Sequence, residues 1–278
     1  MTERYAAVIG HPIAHSLSPA LFAEFARAAS VDLDYRAIDV APDALAATLS
    51  GWRSDSAFVG CNVTMPHKER IIALLDRCTD AARACAAVNV VRRDAGDFVG
   101  DNTDVAGITA TLDAFDFSPH KCDAVIFGAG GGARAVLAVL GDRGAANVSI
   151  VGRTVARAAE LAAAAGARWP QTRFAAFDLN LNEAPPAGLY VNATPLGQSG
   201  QPWRKLLPAN APRGALAFDL VYRPSQTPFL DEAGARGLRT VGGFTMLVEQ
   251  ALATFERWLG FRPQLDAAAR VRLEALAA

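Results

Sequence analysis

A glycine-rich turn directly after an apolar segment restricts the fold of this chain more than any other feature. Residues 123–127 are apolar after the first aspartate, and they are followed by Gly128, Ala129, Gly130, Gly131, Gly132 and Ala133. This order predicts a strand, a tight turn and a helix, in the G-x-G-x-x-G/A pattern that holds a dinucleotide. The first glycine permits the turn, the second lets a pyrophosphate approach the backbone, and the small last residue lets the helix lie on the strand.

The turn lies near the middle of the chain, so the sequence before it needs its own explanation. The chain has 278 residues, of which 51% are hydrophobic, and this is enough for two domains with a core each. Both halves alternate strand-like and helix-like segments. This alternation predicts two α/β domains with mostly parallel sheets, the second of them a Rossmann domain.

The pattern of apolar residues predicts the elements of each half. The first half is expected to have strands at 5–9, 33–40, 58–63 and 88–92 and helices at 19–29, 42–49, 66–75 and 104–115. In the second half, six strands are expected at 123–127, 147–151, 173–176, 189–192, 216–220 and 239–241, with a helix at 245–259. Residues 195–214 are rich in proline and predict a long loop over a cleft.

Charge and cysteine content disfavour several classes of protein. The formal net charge is −1 and the pI is about 6.4, which favours neither nucleic acid nor an anionic membrane as a partner. The apolar segments are short and the N-terminus has no secretory apolar region, so we expect no membrane span and a cytoplasmic location. The cysteines lack C-x-x-C spacing, which is typical of reduced thiols, and no metal is expected: they are Cys61, Cys78, Cys85 and Cys122.

The residues after the next predicted strand indicate which dinucleotide is bound. An NAD-binding domain places an acidic residue at the end of that strand, where it binds the ribose 2′-hydroxyl. Here the strand is followed by Gly152, Arg153 and Thr154, with Arg157 one helical turn later and no acid. Guanidinium and hydroxyl groups bind a 2′-phosphate, which a carboxylate would repel. The sequence therefore predicts NADP rather than NAD, with a merely solvated Arg153 as the alternative.

Three polar clusters in the first half each follow a predicted parallel strand. They lie at residues 15–18, at 62–68, and at Asn89 with residues 101–104. Because open α/β sheets bind ligands at the carboxyl ends of their strands, these hydroxyls and amides, with Lys68 and Asp104, suit a small polyhydroxylated substrate. Taken singly, each has a structural explanation, since Ser18 and Asp104 also suit helix N-caps and a lone lysine is usually solvated.

Together and in this order, the motifs resemble the shikimate dehydrogenase family over essentially the whole chain. The resemblance rests on residues 8–19, 62–68, 87–89, 101–104, the glycine turn, 153–154, 192–197, 219–222, 227–228 and 243–250. It implies two α/β domains with a cleft between them. The substrate-binding catalytic domain would comprise 1–107 plus 244–278, and the Rossmann NADP-binding domain 108–243.

The resemblance also implies a role for each matching residue. Lys68 and Asp104 would form an acid–base pair at the reacting oxygen. The other substrate residues would be Ser16 and Ser18 at the carboxylate, Thr64, Asn89 and Gln250 at the ring hydroxyls, and Asn62 and Tyr222 along the same pocket. The cofactor residues would be 128–133 at the pyrophosphate, Arg153, Thr154 and Arg157 at the 2′-phosphate, and Thr194, Leu220, Gly243 and Met246 elsewhere on NADP.

The implied activity is the reversible, NADP-dependent reduction of 3-dehydroshikimate to shikimate by hydride transfer, a step of aromatic amino acid biosynthesis. The implied partner is this small-molecule substrate, bound by a monomer or homodimer. Two alternatives stay open. One is a quinate dehydrogenase, or a dual quinate and shikimate dehydrogenase, with NAD as a further option. The other is a non-catalytic NADP-binding sensor, which has no need for Lys68 with Asp104.

Three positions depart from the family pattern. Gly152 replaces a usual asparagine, which removes an amide near the adenine ribose and softens the expected preference for NADP. His67 replaces an aromatic residue, and in its protonated form it would lower the pKa of Lys68. Residues 243–245 read Gly-Phe-Thr in place of a more usual Gly-Leu-Gly, which alters the expected wall at the nicotinamide.

Overall fold

The structure is a computed structural model in which residues 4–179 and 184–276 are described. The chain divides into two units, each built around its own six-stranded sheet. The first unit ends at Gly107 and is completed by Val248–Leu276, and the second is formed by Ile108–Leu247. The boundary between Leu247 and Val248 lies within the helix Gly243–Leu259.

The chain before the glycine turn alternates strands and helices. In order they are β1 (Tyr5–Gly10), α1 (Ser18–Ala29), β2 (Asp34–Asp39), α2 (Leu45–Arg53), β3 (Phe58–Val63), a 3-10 helix (Arg70–Leu74), β4 (Arg77–Cys78), α3 (Asp80–Cys85), β5 (Val90–Asp94), β6 (Asp97–Asp101) and α4 (Asp104–Ala114). The sheet order is β2-β1-β3-β5-β6-β4, and among these described strands β5 runs antiparallel to its two neighbours while the other pairs are parallel. The prediction of a mostly parallel sheet is confirmed.

The remaining elements form the second unit and return to the first. They are β7 (Asp123–Phe127), α5 (Gly131–Asp142), β8 (Asn147–Gly152), α6 (Val155–Arg168), β9 (Arg173–Asp178), β10 (Leu189–Asn192), β11 (Leu216–Asp219), α7 (Pro228–Ala235), β12 (Arg239–Val241), α8 (Gly243–Leu259) and α9 (Ala267–Ala275). Strands β7–β12 are all parallel, in the order β12-β11-β10-β7-β8-β9. This is the Rossmann order, which confirms the predicted domain type. Residues 195–214 contain no helix or strand, as predicted for the loop.

One predicted parallel strand is in fact the antiparallel arm of a hairpin. β5 pairs with β6 through a two-residue turn at Ala95 and Gly96, whose φ angles are +51° and +98°. Positive φ at both positions is the turn geometry that matches the twist of hairpin strands. The prediction that the cluster of Asn89 and residues 101–104 lies at the end of a parallel strand at 88–92 is therefore wrong, since β5 is antiparallel and Asn89 precedes it. Because β5 is antiparallel, its first residues still meet the end of β3, where Val90 lies opposite Asn62.

Residues 66–69 form turns, so the prediction of a helix that begins at Pro66 is wrong. The carbonyl of Lys68 accepts a hydrogen bond from the N–H of Val88 at 2.8 Å. That carbonyl is therefore engaged by a distant segment rather than by an amide of its own helix, and helical structure is limited to Arg70–Leu74. The result ties the backbone of Lys68 to the segment that leads into Asn89.

Other elements depart from the predicted bounds or were not predicted. α2 lies at Leu45–Arg53 rather than 42–49, because Leu45, Leu49 and Trp52 follow helical spacing and are all buried in the core. The short elements β4, α3, β6 and the last helix α9 were not predicted. None of the described helices has both the length and the apolar character needed to cross a membrane.

Helix α8 packs on the first sheet through an aromatic cluster. The indole of Trp258 lies 5.3 Å from the ring of Phe22 and 6.1 Å from that of Tyr35, between centroids. Its Nε1 donates to the carbonyl of Val91 on β5. A Cβ added at Gly60 of β3 would lie 2.5 Å from this Nε1, so glycine is needed for the helix to come this close. This packing holds the C-terminal part of the helix in the same unit as β3 and β5.

Candidate active site

A lysine and an aspartate form a buried ion pair where β3 and β6 end. Lys68 lies in the turns after β3, and Asp104 is the first residue of α4. Their Nζ and Oδ2 atoms are 2.5 Å apart, and the two side chains are 18% and 7% exposed. The backbone N–H of Asp104 donates to the side chain of Asn102, whose own amide donates to the carbonyl of Ala87. The pair is therefore fixed by bonds to its backbone as well as by its own contact.

The loop that carries Asp104 is held by a second buried carboxylate. Asp101, at the end of β6, accepts hydrogen bonds from Thr79, from Arg257 and from the N–H of Asn102. Burial acts to raise the pKa of the Asp101 carboxyl, but these hydrogen bonds outweigh it and hold the pKa below its usual range. Asp101 therefore stays ionised and anchors the segment.

Asn89 joins the ion pair to helix α8. Its side chain is 3% exposed and its Oδ1 accepts the N–H of Thr103 at 2.7 Å, which fixes which end of the amide is the oxygen. The Nδ2 then donates to Oδ1 of Asp104 at 2.8 Å and faces Oε1 of Gln250 at 3.5 Å. Because Asp104 has one oxygen on Asn89 and the other on Lys68, its carboxylate is held in a single orientation.

Asn62 belongs to the buried frame beneath this pair. Its Oδ1 accepts the hydroxyl of Tyr35 at 2.8 Å, and its Nδ2 donates to Thr254 at 3.2 Å and to the carbonyl of Asn89 at 3.4 Å. Burial raises the pKa of Tyr35 well above its usual value, so this hydroxyl stays protonated and donates. Since both amide hydrogens of Asn62 are engaged by protein atoms, its direct contact with a substrate stays a prediction, whereas its place in the frame is clear.

The serines and Thr64 follow two neighbouring strands. β1 and β3 pair with Ile9 opposite Val63, so the segments that follow them leave the sheet side by side. Ser18 begins α1 and is buried, and the half-buried Ser16 accepts its N–H at 3.3 Å. Thr64 follows β3 directly, with its N–H bonded to the carbonyl of Ile9. These three hydroxyl residues thus lie at the same end of the sheet as Lys68.

His67, the residue before Lys68, is fully buried. Its Nε2 is 2.7 Å from the carbonyl of Val40, which assigns the proton to that nitrogen, and its Nδ1 has no hydrogen-bond partner among the described residues. The ring therefore anchors the turn to the end of β2. The expected influence of His67 on Lys68 stays a prediction.

Sequence reasoning missed three members of this site. Tyr35, Thr103 and Thr254 all make hydrogen bonds to predicted site residues, and Thr103 and Thr254 are buried. Thr103 lies inside a motif that was recognised, so its proximity to Asp104 was a usable signal. Thr254 lies four residues after Gln250, on the same face of a helix, which was also a usable signal. Nothing in the sequence around Tyr35 indicates its partner.

The glycine turn of the second unit has the form that a pyrophosphate requires. Gly128 has φ +112°, and a Cβ there would lie 2.8 Å from the carbonyl oxygen of Ala193, so glycine is required. Gly130 precedes α5, and a Cβ added to it meets nothing within 4 Å. The first N–H groups of α5 therefore face open space beside a backbone without side chains, which is how helix starts bind phosphate.

The end of β8 lies beside this turn and carries the predicted 2′-phosphate residues. The N–H of Gly128 donates to the carbonyl of Val151 at 2.8 Å, which places Arg153 and Thr154 on the adjacent strand end. Arg153, Thr154 and Arg157 are all exposed, and α6 begins directly after Thr154. Among the described residues, Arg153 has no hydrogen-bond or ion-pair partner, so its guanidinium is available to a ligand.

The other predicted cofactor residues lie along the same edge of the second sheet. Asn192 ends β10, and its Oδ1 accepts both the N–H and the hydroxyl of Thr194. A Cβ added at Gly243 would lie 2.5 Å from the carbonyl oxygen of Leu220, so these two backbones touch. Met246 is buried on α8. Tyr222 follows β11 in this unit, and burial raises its pKa, with Arg223 acting in the opposite direction.

Asp219, at the end of β11, gives the second unit a testable pH dependence. It is fully buried, and burial raises its pKa from 3.8 to about 6, although Thr227, Val221 and Asn192 donate hydrogen bonds to it. The folded state therefore holds this proton more tightly than the unfolded state, so stability is greatest below about pH 4 from this group and falls as pH rises through about 6. Between pH 4 and 7, we expect the unfolding free energy of Asp219→Asn to fall by about 3 kcal/mol less than that of the wild-type protein. Urea unfolding across this pH range measures the difference.

The control for this experiment is Asp116→Asn, since Asp116 is exposed. It should shift the unfolding free energy equally at every pH. A wild-type curve that runs parallel to that of Asp219→Asn across this range would show that Asp219 does not take up a proton on folding.

The fold and these residues define a class of protein, the two-domain α/β oxidoreductases. The second unit is the Rossmann domain for a dinucleotide, and the first unit carries the lysine–aspartate pair. Residues 8–91 match the family model described as the shikimate dehydrogenase substrate binding domain. The shikimate dehydrogenase (NADP(+)) of Brucella abortus (strain S19) is 41% identical to this chain, over 98% of this chain and 94% of its own length. The chain belongs to the shikimate dehydrogenase family.

Solved structures give the same result for the fold. The shikimate 5-dehydrogenase from Thermus thermophilus, in complex with NADP(H) and shikimate, matches with a TM-score of 0.82 and 36% identity, covering 98% of each chain. A ligand-free 5-ketofructose reductase of Gluconobacter sp. strain CHM43 matches with a TM-score of 0.86 and 28% identity, covering 99% of this chain and 98% of its own. The fold is therefore shared by enzymes with different substrates.

Proposed function

We propose that this protein is an NADP-dependent shikimate dehydrogenase, which catalyses the reversible reduction of 3-dehydroshikimate to shikimate. The observation that carries the proposal is the buried contact of Lys68 with Asp104, locked by the amide of Asn89 and adjoining Gln250. A sensor that only binds NADP needs no such pair.

In this proposal the acid–base work belongs to Lys68. Its ammonium spends one N–H on Asp104 and has two left for the carbonyl oxygen of the substrate. NADPH, held by the second unit, would supply the hydride that the carbonyl carbon receives. Lys68 gives a proton to the alkoxide oxygen that forms, and Asp104 orients the lysine toward it. In the opposite direction Lys68 takes that proton back.

The remaining substrate contacts are assigned by position. Ser16 and Ser18 would hold the carboxylate of the substrate, and Thr64, Asn89 and Gln250 its ring hydroxyls together with Asp104. Asn62 and Tyr222 complete the proposed set. What supports the assignment in the first unit is that these hydroxyls and amides lie where β1, β3 and β6 end, around Lys68.

The second unit is assigned to NADP. The turn at residues 128–133 would hold the pyrophosphate, since it leaves open space at Gly130 and presents the start of α5. Arg153, Thr154 and Arg157 would bind the 2′-phosphate, and Thr194, Leu220, Gly243 and Met246 would line the rest of the cofactor. The available guanidinium of Arg153 beside the turn supports NADP over NAD.

The proposal is tested by steady-state assays of the purified protein with shikimate or quinate, each with NADP or NAD. We expect the highest kcat/KM with shikimate and NADP. 5-Ketofructose with NADPH serves as a control for the substrate of the Gluconobacter relative, and little turnover is expected. A higher kcat/KM with quinate would replace the proposed substrate, and NADPH binding without turnover of any of these compounds would favour the sensor.

We also propose that the enzyme acts in the cytoplasm as a monomer or homodimer. The thiols support the cytoplasm, since the four cysteines are free in the described part of the chain and burial raises the pKa of Cys61, Cys78 and Cys122. Thiols of this kind are typical of a reducing compartment.

A further inference from the structure

Thr254 lies at the centre of the hydrogen bonds that connect the candidate site to helix α8. It is fully buried on α8, one turn after Gln250. Its Oγ1 is 3.2 Å from Nδ2 of Asn62, 3.0 Å from Oγ1 of Thr103 and 3.0 Å from the carbonyl oxygen of Gln250. One hydroxyl thus contacts three segments of chain that are far apart in sequence.

The directions of these bonds can be assigned. Nδ2 of Asn62 is a donor, because Oδ1 of that amide accepts from Tyr35. The single hydrogen of Thr254 goes to the carbonyl of Gln250, the bond that a threonine makes back along its own helix. Thr103 then donates its hydrogen to Thr254 at 3.0 Å, which is shorter than its alternative bond to Oδ1 of Asn89 at 3.3 Å. In this arrangement the hydroxyl accepts two bonds and donates one, which uses its full capacity.

The bonds of Thr254 reach the acid–base pair through Thr103. Oγ1 of Thr103 accepts from Nδ2 of Asn89 at 3.1 Å, and the same Nδ2 donates to Asp104. On the other side, Asn62 leads to the hydroxyl of Tyr35. A continuous set of hydrogen bonds therefore runs from Tyr35 through Asn62, Thr254, Thr103 and Asn89 to the pair of Asp104 and Lys68.

We propose that Thr254 is a positioning residue for the substrate site, a role that rests on the proposed function. It does not itself contact the reacting atoms. Its hydroxyl holds the side chains of Asn62 and Thr103 relative to Gln250, and so sets the spacing among the groups assigned to the ring of the substrate. Serine performs this role, whereas valine, which has the same shape without the hydroxyl, does not.

The chemistry predicts which kinetic constant changes. Valine leaves a buried donor of Asn62 without its acceptor, so that amide reorients. The hydroxyl of Thr103 loses Thr254 and keeps only its longer bond to Oδ1 of Asn89 at 3.3 Å. Lys68 and Asp104 keep their own contact and the bond to Asn89. We expect Thr254→Val to raise KM for shikimate by about tenfold or more while kcat stays within about threefold. KM for NADP should stay unchanged, because the residues assigned to NADP belong to the second unit.

The test compares the wild-type enzyme with Thr254→Val and Thr254→Ser in steady-state kinetics, together with thermal unfolding. Thr254→Ser loses a buried methyl group, so it should lower Tm yet keep the wild-type KM. A purely structural role predicts the reverse, with KM following Tm. The control is Thr48→Val, since Thr48 makes the same bond to the carbonyl four residues back on α2, outside the site.

Each outcome decides the proposal. A raised KM for shikimate in Thr254→Val, with Thr254→Ser like wild type, supports it. Equal KM values in both variants overturn it while the proposed function stands. No turnover by the wild-type enzyme overturns the proposed function, and this role with it. If Thr254→Val does not fold, Thr254→Ala against Thr254→Ser makes the same comparison, because both lose the methyl group and alanine also loses the hydroxyl.

Discussion

Replacing Lys68 by alanine is expected to lower kcat for shikimate oxidation by about 10²–10⁴, with little change in KM. The lysine is the proton donor and acceptor for the reacting oxygen in the proposed mechanism, so its loss removes an interaction that is strongest in the transition state. The substrate would still be held by its carboxylate and by the other ring hydroxyls. Steady-state kinetics in both directions measure the effect.

The control for Lys68→Ala is Lys121→Ala, since Lys121 is exposed in the turn before β7. It should leave both kcat and KM unchanged. Because Asp104 would lose a charged partner in a site where it is 7% exposed, the fold of Lys68→Ala is checked by its thermal unfolding. A folded Lys68→Ala with a kcat close to that of the wild-type enzyme would remove Lys68 from the mechanism.

The Rossmann half was predictable because its information is local. The apolar strand, the glycine turn and the following helix are contiguous, and each residue has a steric reason that holds wherever the motif occurs. Gly128 shows this directly, since its φ of +112° and its distance from Ala193 both require glycine. The absence of an acidic residue after the second strand of this half was also readable without a structure.

In the first half, the sequence indicated the polar residues of the site, but two of the predicted backbone elements were wrong. The residue types of the ion pair and its amides were recognised, yet β5 was expected to be parallel and a helix was expected at 66–75. Both errors come from contacts between distant segments. The carbonyl of Lys68 is bonded to Val88, and β5 turns back through Ala95 and Gly96. The hairpin of β5 had a local signal that was missed. Residues 94–97 read Asp-Ala-Gly-Asp, and Ala-Gly between two aspartates suits a two-residue hairpin turn.

The hydrogen bonds between distant segments of the site could not be predicted from the sequence. Asn62 and Thr254 are separated by 192 positions, and Tyr35 lies 27 positions from Asn62 on a different strand. Periodicity indicates which side of an element is buried, but it does not indicate which buried polar groups pair with one another. Those pairings follow from sheet order and from the way α8 packs against Gly60.

Replacing Arg153 by alanine is expected to weaken NADP about ten- to hundredfold and to leave NAD little changed. The reason is that a guanidinium on a 2′-phosphate makes charge-assisted hydrogen bonds that NAD cannot make. Arg153 is exposed and has no protein partner among the described residues, so its loss should have little effect on stability. The exposure also means that the contact is screened, and KM for NADP in the wild-type enzyme should rise with salt concentration.

The measurement is kcat/KM for NADP and for NAD in the wild-type enzyme and in Arg153→Ala, at low and high salt. Arg173→Ala is the matched control, since Arg173 is an exposed arginine at the opposite end of the neighbouring strand β9. It should change neither cofactor. Because Gly152 replaces a usual asparagine, the preference for NADP rests on the residues that follow it. If Arg153 carries the preference, the ratio of NADP to NAD falls sharply and its salt dependence disappears. An unchanged ratio would assign the preference to Thr154 and Arg157 instead.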